Sequence, residues 1–383
     1  MRRIYDALAE FVGIWRSTVE NPGKGRRIKR RHEDFIVEEI TNEGDLVSIE
    51  NPVIKCYHRG KGYVRAALIK RGRETHEAIR YIAKKLGVRE DHIGFAGTKD
   101  KRAITSQRIS IKGIKPEEAV IEEPTIRVTS AVECGAPVRL GELRGNRFTV
   151  TMRDGIRSEE AREELLEKGF INYYGFQRFG ANRPVSHIVG RFLLLGEIEN
   201  AFDAYVAAEE MGLVPDELVK EPKEARAARE AYANGRIREA LDMFPKNFVY
   251  ERRLLSCLLR TGDKKKCFIR TFPYRLRIMF IHAFQAYVRN VSLSRAIERG
   301  ELPQRRPLPG FRTRVRYAKD LLKGISGSKR RRNRLPGGRR NVIMRLDTPE
   351  KIRIEGSKAV IRFSLRKGSY ASVALFEAFE AKE

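Results

Sequence analysis

Residues 186 to about 322 interrupt the pattern of the chain on either side, and that interruption limits the folds open to it. Upstream, short strand-like stretches dominate: DFIVEEI, YVRAALIK (63–70), HIGFAG, QRISIKGI, TIRVTSAVE and NRFTVTMRD. QRISIKGI alternates strictly, as a half-buried strand does. Two helices punctuate them. Thr75 is placed to cap THEAIRYIAKKLG, with Ile79, Ile82 and Leu86 on one face and Gly87 as its stop, and Ser158 is placed to cap SEEAREELLEKG. Inside the interruption the pattern is helical, as in ENAFDAYVAAEEMG, YERRLLSCLLRTG and RIMFIHAFQAYVRN. A glycine- and arginine-rich stretch, GISGSKRRRNRLPGGRR (324–340), reads as loop. Strands then return in NVIMRL and KAVIRFSL, before the short helix ASVALFEAF.

Strands that resume after a helical middle predict one domain split by an inserted one. The fold class expected is α+β with a mixed, mostly antiparallel sheet. No βαβ rhythm and no GxGxxG supports a doubly wound sheet. Ile4, Leu8, Phe11 and Ile14 suggest an amphipathic helix over 3–19, broken by NPGKG. The expected division is therefore an N-terminal helix in 1–23, a split domain in 24–185 and 339–383, and an insert in 186–338.

Charge narrows the function. The 383 residues carry a formal net charge of +28. A surplus of that size points to a polyanionic partner, nucleic acid foremost, because phosphate contacts supply most non-specific affinity. A merely heat-tolerant surface would balance its signs more closely. Cys56, Cys134, Cys257 and Cys267 form no CxxC pair, and the six histidines show no metal-ligand spacing. Free, mostly buried thiols and no metal site are expected. MRRIYDALAEFVGIW lacks the build of a secretion signal, and no apolar run reaches membrane-spanning length. The expected location is the cytoplasm.

Three stretches carry candidate chemistry. GFAGTKDKRAITSQ (94–107) leaves a strand, turns at Gly97 and sets Lys99, Asp100, Lys101 and Arg102 side by side. A phosphate-binding P-loop needs Lys followed by Ser or Thr, whereas Thr98 precedes Lys99 here. A phosphorylated aspartate fits no better, since Lys101, Arg102 and Ala103 follow Asp100. Two readings stay open, a salt-bridged turn residue and a functional carboxylate. A nucleophilic carboxylate must stay ionised in a closed pocket; burial opposes this and a nearby cation offsets it. INYYGFQRFGANR (171–183) interleaves Tyr173, Tyr174, Phe176 and Phe179 with Gln177, Arg178 and Arg183. Rings among amides and cations suit an unstacked base, or simply a packed aromatic loop. FSLRKGSYASVALFEAF (363–379) turns at Gly368 and Ser369 from strand to helix.

Taken together these stretches resemble the TruD family of tRNA pseudouridine synthases. The matching pieces are HEDFIVEEI (32–40), GFAGTKDKRAITSQ, LRGNRFTVTMRD (143–154), NYYGFQRFG (172–180), HAFQAYVRN (282–290) and FSLRKGSYASVAL (363–375). They stand in family order across nearly the whole chain past the first helix. The resemblance implies a pseudouridine synthase core carrying an inserted family-specific domain. It implies isomerisation of uridine, typically uridine 13 of tRNA, without cofactor or metal. Asp100 falls on the family's catalytic aspartate, Lys29 on the lysine that pairs with it, and Asn172 and Tyr174 on active-site positions. Tyr174 stands where phenylalanine is usual, His32 replaces a common proline and Phe376 a common arginine.

The remaining expectations concern RNA. Lys99, Arg102, Gln107, Gln177, Arg178, Phe179, Arg183 and the run Arg330, Arg331 and Arg332 are expected to contact it. tRNA is the expected partner and a monomer the default. A non-catalytic RNA-binding or ribosome-assembly protein is the competing reading from charge alone. A nuclease fits less well, for want of clustered carboxylates to hold metal.

Overall fold

The computed structural model describes residues 1–22, 28–153, 159–180, 182–302, 304–310, 313, 315–326, 335, 337–346, 353–355 and 358–381. It divides into two compact units, Thr18–Phe170 with Met344–Glu383 and Met1–Ser17 with Ile171–Ile343. The fold is mixed α+β, with the sheet in the first unit and most helices in the second.

In the sheet unit, nine strands follow the chain as β1 (Phe35–Ile40), β2 (Tyr63–Arg71), β3 (Ile93–Phe95), β4 (Ile104–Lys112), β5 (Ile121–Glu123), β6 (Ile126–Cys134), β7 (Gly145–Met152), β8 (Arg353–Glu355) and β9 (Lys358–Arg366). Their spatial order is β8-β9-β7-β1-β4-β2-β6-β5, with β3 also paired to β4. Every pairing is antiparallel except β1 with β4, where Ile36 stands opposite Ile104. The late strand β9 lies against β7, Ala359 opposite Met152 through Arg366 opposite Gly145. The rings of Phe148 and Phe363, one from each, stack at 5.5 Å. This pairing is why the strands resume after the helical middle: the sheet incorporates chain from both sides of it.

Period-two alternation sorts the faces. Val64, Ala66 and Leu68 of β2 join Ile109 and Ile111 of β4 and Val128 of β6 under the helix Thr75–Leu86, which buries Ile79 and Ile82. That helix ends at Gly87, whose left-handed φ of 66° lets its N–H reach Ala83 O. Continuing the same alternation, Lys70 and Gln107 follow on the helix-covered face, near the start of that helix.

In the helical unit, α1 (Ser186–Leu195), α2 (Ile198–Ala207), α3 (Lys223–Ala233), α4 (Ile237–Met243), α5 (Val249–Thr261), α6 (Lys264–Thr271) and the long α7 (Tyr274–Glu298) follow in order. Phe202, Phe244, Leu254, Leu255, Phe268 and Phe272 lie in its main core. Helices α1 and α7 approach backbone to backbone at Gly190, where a Cβ would meet Phe280 O at 2.0 Å. Only glycine fits there.

Three differences from the sequence expectations have physical causes. The N-terminal stretch forms a helix only over Ala7–Phe11, capped by Asp6, because Arg2–Arg3 pairs as a strand with Arg16–Ser17. Residues 171–185, expected in the sheet domain, belong to the helical unit, where Arg289 and Asn290 of α7 bond their backbone. The cysteines are not free: Cys56 is bonded to Cys134 and Cys257 to Cys267, one disulfide within each unit. Pairs separated by 78 and 10 residues leave no spacing signature. No described helix is long and apolar enough to cross a membrane.

Candidate active site

The Asp100 loop leaves β3 and enters β4. Its entry is fixed at Gly94, where a Cβ would sit 2.3 Å from Val138 O. Gly97, by contrast, lies outside the left-handed region and has open space around it, so the turn does not depend on glycine there. Side chains hold the loop instead. The Lys70 ammonium donates to Arg73 O at 2.7 Å, Asp100 O at 2.8 Å and Lys99 O at 3.3 Å. Gln107 donates to Gly97 O at 3.0 Å, and the Thr75 hydroxyl accepts the Lys99 N–H at 2.9 Å. Thr75 is therefore the first residue of its helix rather than the cap, which is Glu74. Burial pushes Lys70 down to about 8, with the Asp100 charge pulling the other way.

Asp100 itself is part-exposed, at 29% for its side chain, and pairs with Lys29, whose Nζ lies 2.9 Å from Oδ1. Lys29 is buried and has a left-handed φ of 61°, a conformation uncommon outside glycine. Its ammonium also sits 4.2 Å from the centre of the Phe35 ring. The turn that follows Lys29 is braced by Asp34, which accepts Arg31 N–H at 2.9 Å and Arg153 at 2.6 and 3.0 Å. Burial raises the Asp34 pKa, but these bonds outweigh it and hold the carboxyl below its ordinary value. Asp34 and Phe35, the core of the HEDF motif, thus both serve the Lys29 segment.

The cations beside Asp100 divide. Lys99 turns inward to a 2.7 Å ion pair with Glu39, and neither side chain is more than 3% exposed. It is not available to phosphate, contrary to the sequence expectation, because Glu39 on β1 would otherwise be a buried unpaired charge. Gln107 is likewise buried, engaged with the loop rather than RNA. Lys101 and Arg102 are exposed. Among the described residues no cluster of three His, Cys, Asp or Glu side chains could hold a metal ion.

The second constellation lies in the helical unit. Asn172 is buried, donating its side-chain amide to Asn341 O at 3.1 Å and accepting from Arg340 at 3.1 Å. Arg289 donates to Asn172 O at 2.7 Å and to Asn341 O at 3.1 Å. Asn290 accepts Tyr174 N–H at 2.9 Å and donates to Tyr174 O at 3.0 Å. The Arg340 guanidinium lies 4.1 Å from the centre of the Tyr174 ring. Arg289 and Asn290 close the HAFQAYVRN motif, so a role had a sequence signal but no geometry to define it.

Other expected RNA contacts are placed differently. Phe179 is fully buried and packs edge-on against His187, so it offers no face to a base. Arg183 is buried against Glu209 at 2.7 Å and Tyr205 O at 2.6 Å, its charge already matched. Gln177 and Arg178 line a cavity of 390 Å³. Arg330, Arg331 and Arg332 lie outside the described residues. A basic cleft of 550 Å³, which the sequence reading missed, is lined by Lys246, Arg252, Arg253, Arg260 and Arg270. Its signal was present in α5: Arg253 and Arg260 stand seven apart, on one helix face.

Comparison with known proteins supplies a context for this geometry. The sequence profile of tRNA pseudouridine synthase D (TruD) matches residues 11–313. A Methanocaldococcus jannaschii protein named as a candidate tRNA pseudouridine synthase D 1 is 36% identical over 94% of this chain and 96% of its own. A candidate tRNA pseudouridine synthase D of Thermococcus gammatolerans is 37% identical over 79% of this chain and 68% of its own. A crystal structure of a candidate of the same name from Methanosarcina mazei superposes with a TM-score of 0.72 at 26% identity, covering 98% of both chains. The chain belongs to the TruD family of tRNA pseudouridine synthases.

Proposed function

We propose that the protein isomerises a uridine of tRNA to pseudouridine, with uridine 13 as the target that the family resemblance suggests. The observation that carries the reading is the Asp100 carboxylate, partly open on a braced loop and paired at 2.9 Å with a buried lysine. A buried target base is unreachable within a helix, so it is flipped out, at a few kcal/mol offset by contacts to the RNA backbone. Asp100 then attacks C1′ of the ribose or assists its cleavage in another way, and the C1′–N1 bond breaks with its electron pair leaving on uracil. After rotation of the base, C5 bonds to C1′ and displaces the Asp100 carboxylate where that had bonded there, the C5 proton is lost and N1 gains one. The net change is isomerisation, in which atoms and electrons balance without an external reagent.

Lys29 supports the ionised carboxylate in this reading. Tyr174 stacks on the uracil, with Arg340 occupying a face of the ring until RNA enters, and Asn172 fixes the backbone beside it. Lys101, Arg102 and the cleft around Arg253 supply phosphate contacts. The cytoplasm remains the proposed location; the two disulfides remove the thiol argument for it, although hyperthermophiles keep intracellular disulfides.

The test is Asp100→Asn assayed on unmodified tRNA with and without EDTA. Pseudouridine should form with the native protein in either condition and vanish in the variant, while tRNA affinity stays within a few-fold. Normal turnover by Asp100→Asn removes the aspartate from the reaction. Metal-dependent strand scission would instead identify a nuclease, and binding without either product an RNA-binding protein.

A further inference from the structure

The 390 Å³ cavity of the helical unit is built unlike a phosphate site. Tyr250 and Phe272 stack along its wall, ring centres 5.2 Å apart and planes 27° from parallel. Tyr250 and Met279 are 38% and 56% exposed at this cavity, which leaves apolar surface open to a ligand there. The polar lining includes the Gln177 and Asn182 amides and the Glu221 and Glu251 carboxylates. Both carboxylates are bonded to one buried cation, Arg229, at 2.8 and 3.3 Å. Of the two arginines in the lining, Arg183 is matched by Glu209 while Arg178 offsets the remaining carboxylate charge, so the wall carries no net positive charge. Such a wall has no surplus of cations to draw an anion. A flat, neutral ring with N–H groups along one edge is favoured, because it can stack on Tyr250 and donate to a carboxylate.

We infer that this cavity takes an unpaired guanine base of the RNA, as an anchor separate from the uridine that reacts. Guanine presents N1–H and N2–H side by side, matching a carboxylate, whereas the single N–H of uracil is flanked by two carbonyls. Stacking on an aromatic platform with edge hydrogen bonds is how single-stranded bases are gripped. The size is at the lower end of small-molecule sites, adequate for a base with its ribose. The inference rests on the proposed RNA substrate but not on the proposed chemistry.

A thermodynamic cycle tests it. tRNA transcripts carrying one abasic nucleotide each, across the unpaired positions, are bound to the native protein and to Tyr250→Ala by filter retention. One guanine position, distinct from the reacting uridine, should weaken native binding roughly 5- to 140-fold when its base is removed, the equivalent of 1–3 kcal/mol of stacking. The same abasic transcript should bind Tyr250→Ala no more weakly than the intact one does. Met279→Glu, also at an exposed position, should reproduce the loss of that difference. Additive effects at every position would overturn the inference, as would a sensitive base other than guanine. Because affinity is the readout, failure here leaves the synthase reading standing, and failure of Asp100→Asn to stop turnover leaves this cavity untouched.

Discussion

The two units place their basic side chains to different ends. In the sheet unit the buried cations Lys29 and Lys70 converge on the Asp100 loop while Lys99 points from that loop to Glu39 on β1, and each is matched to a carboxylate or to backbone carbonyls. In the helical unit Arg183 and Arg229 brace a cavity wall, while Lys246, Arg253, Arg260 and Arg270 remain exposed at a cleft. The net charge of +28 is therefore not a uniform RNA-binding surface. Part of it is internal scaffolding, and burial rather than sequence neighbourhood tells the two apart. Lys99 and Lys101 flank the same aspartate and face opposite environments.

The sharpest way to break this comparison is to remove one inward lysine at a time. Lys99→Met strands Glu39 in the interior and should destabilise the protein by about 3–5 kcal/mol, read as a lowered thermal midpoint. Adding Glu39→Gln should restore much of the loss, since the stranded charge rather than the lost pair is the penalty. Lys29→Met should do the reverse. Asp100 keeps its partial exposure, so the thermal midpoint should hardly move, while the rate of pseudouridine formation falls about 100- to 1,000-fold, the scale for removing one electrostatic partner of a reacting group. Equal effects of the two variants on both stability and rate would erase the distinction between scaffold and site.

A smaller effect probes the outward-facing cations. Changing Arg253, Arg260 and Arg270 together to Gln should weaken tRNA binding and reduce the slope of log affinity against log salt. Three lost phosphate contacts correspond to roughly 2 to 3 units of slope, at about 0.7–0.9 per contact. Thermal stability should stay within about 0.5 kcal/mol of native, as for surface changes generally. An unchanged salt slope would place this cleft away from the RNA backbone.

How far the chain announces these roles depends on whether the relevant geometry is local. The strands β2 and β4 are legible because alternation is a property of neighbours, and Val64, Ala66 and Leu68 display it directly. The split of the sheet domain is legible because a late strand pattern needs a sheet to join. The inward turn of Lys99 is not, because an irregular loop has no fixed period and the deciding partner, Glu39, is sixty residues away. Thr75 looks like a helix cap in sequence, yet tertiary contact directs its hydroxyl to the Lys99 amide. Gly97 looks indispensable and is not, whereas Lys29 holds the left-handed conformation that a reader would assign to glycine. The disulfide partners and the brace from Arg289 and Asn290 also require the folded chain.

The smallest expected effect concerns Lys70, which the sequence reading passed over as part of a strand. Its ammonium is buried against three carbonyls, including that of Asp100, and burial depresses it from 10.5 to about 8. Between those two values the unfolded chain binds more protons than the folded one, so stability should rise with pH across that window. Below about 8 the unfavourable burial of the charge is present in full. Function should run the opposite way. A neutral amine is a weaker donor to carbonyls than an ammonium, so the loop bearing Asp100 loosens and the rate falls a few-fold as pH rises through about 8. Lys70→Met should abolish both trends, lowering the neutral-pH rate and leaving thermal midpoint and activity flat over the same interval. An alkaline fall in rate that survives in Lys70→Met must arise from another group, and the loop would then be held by Thr75 and Gln107 without it.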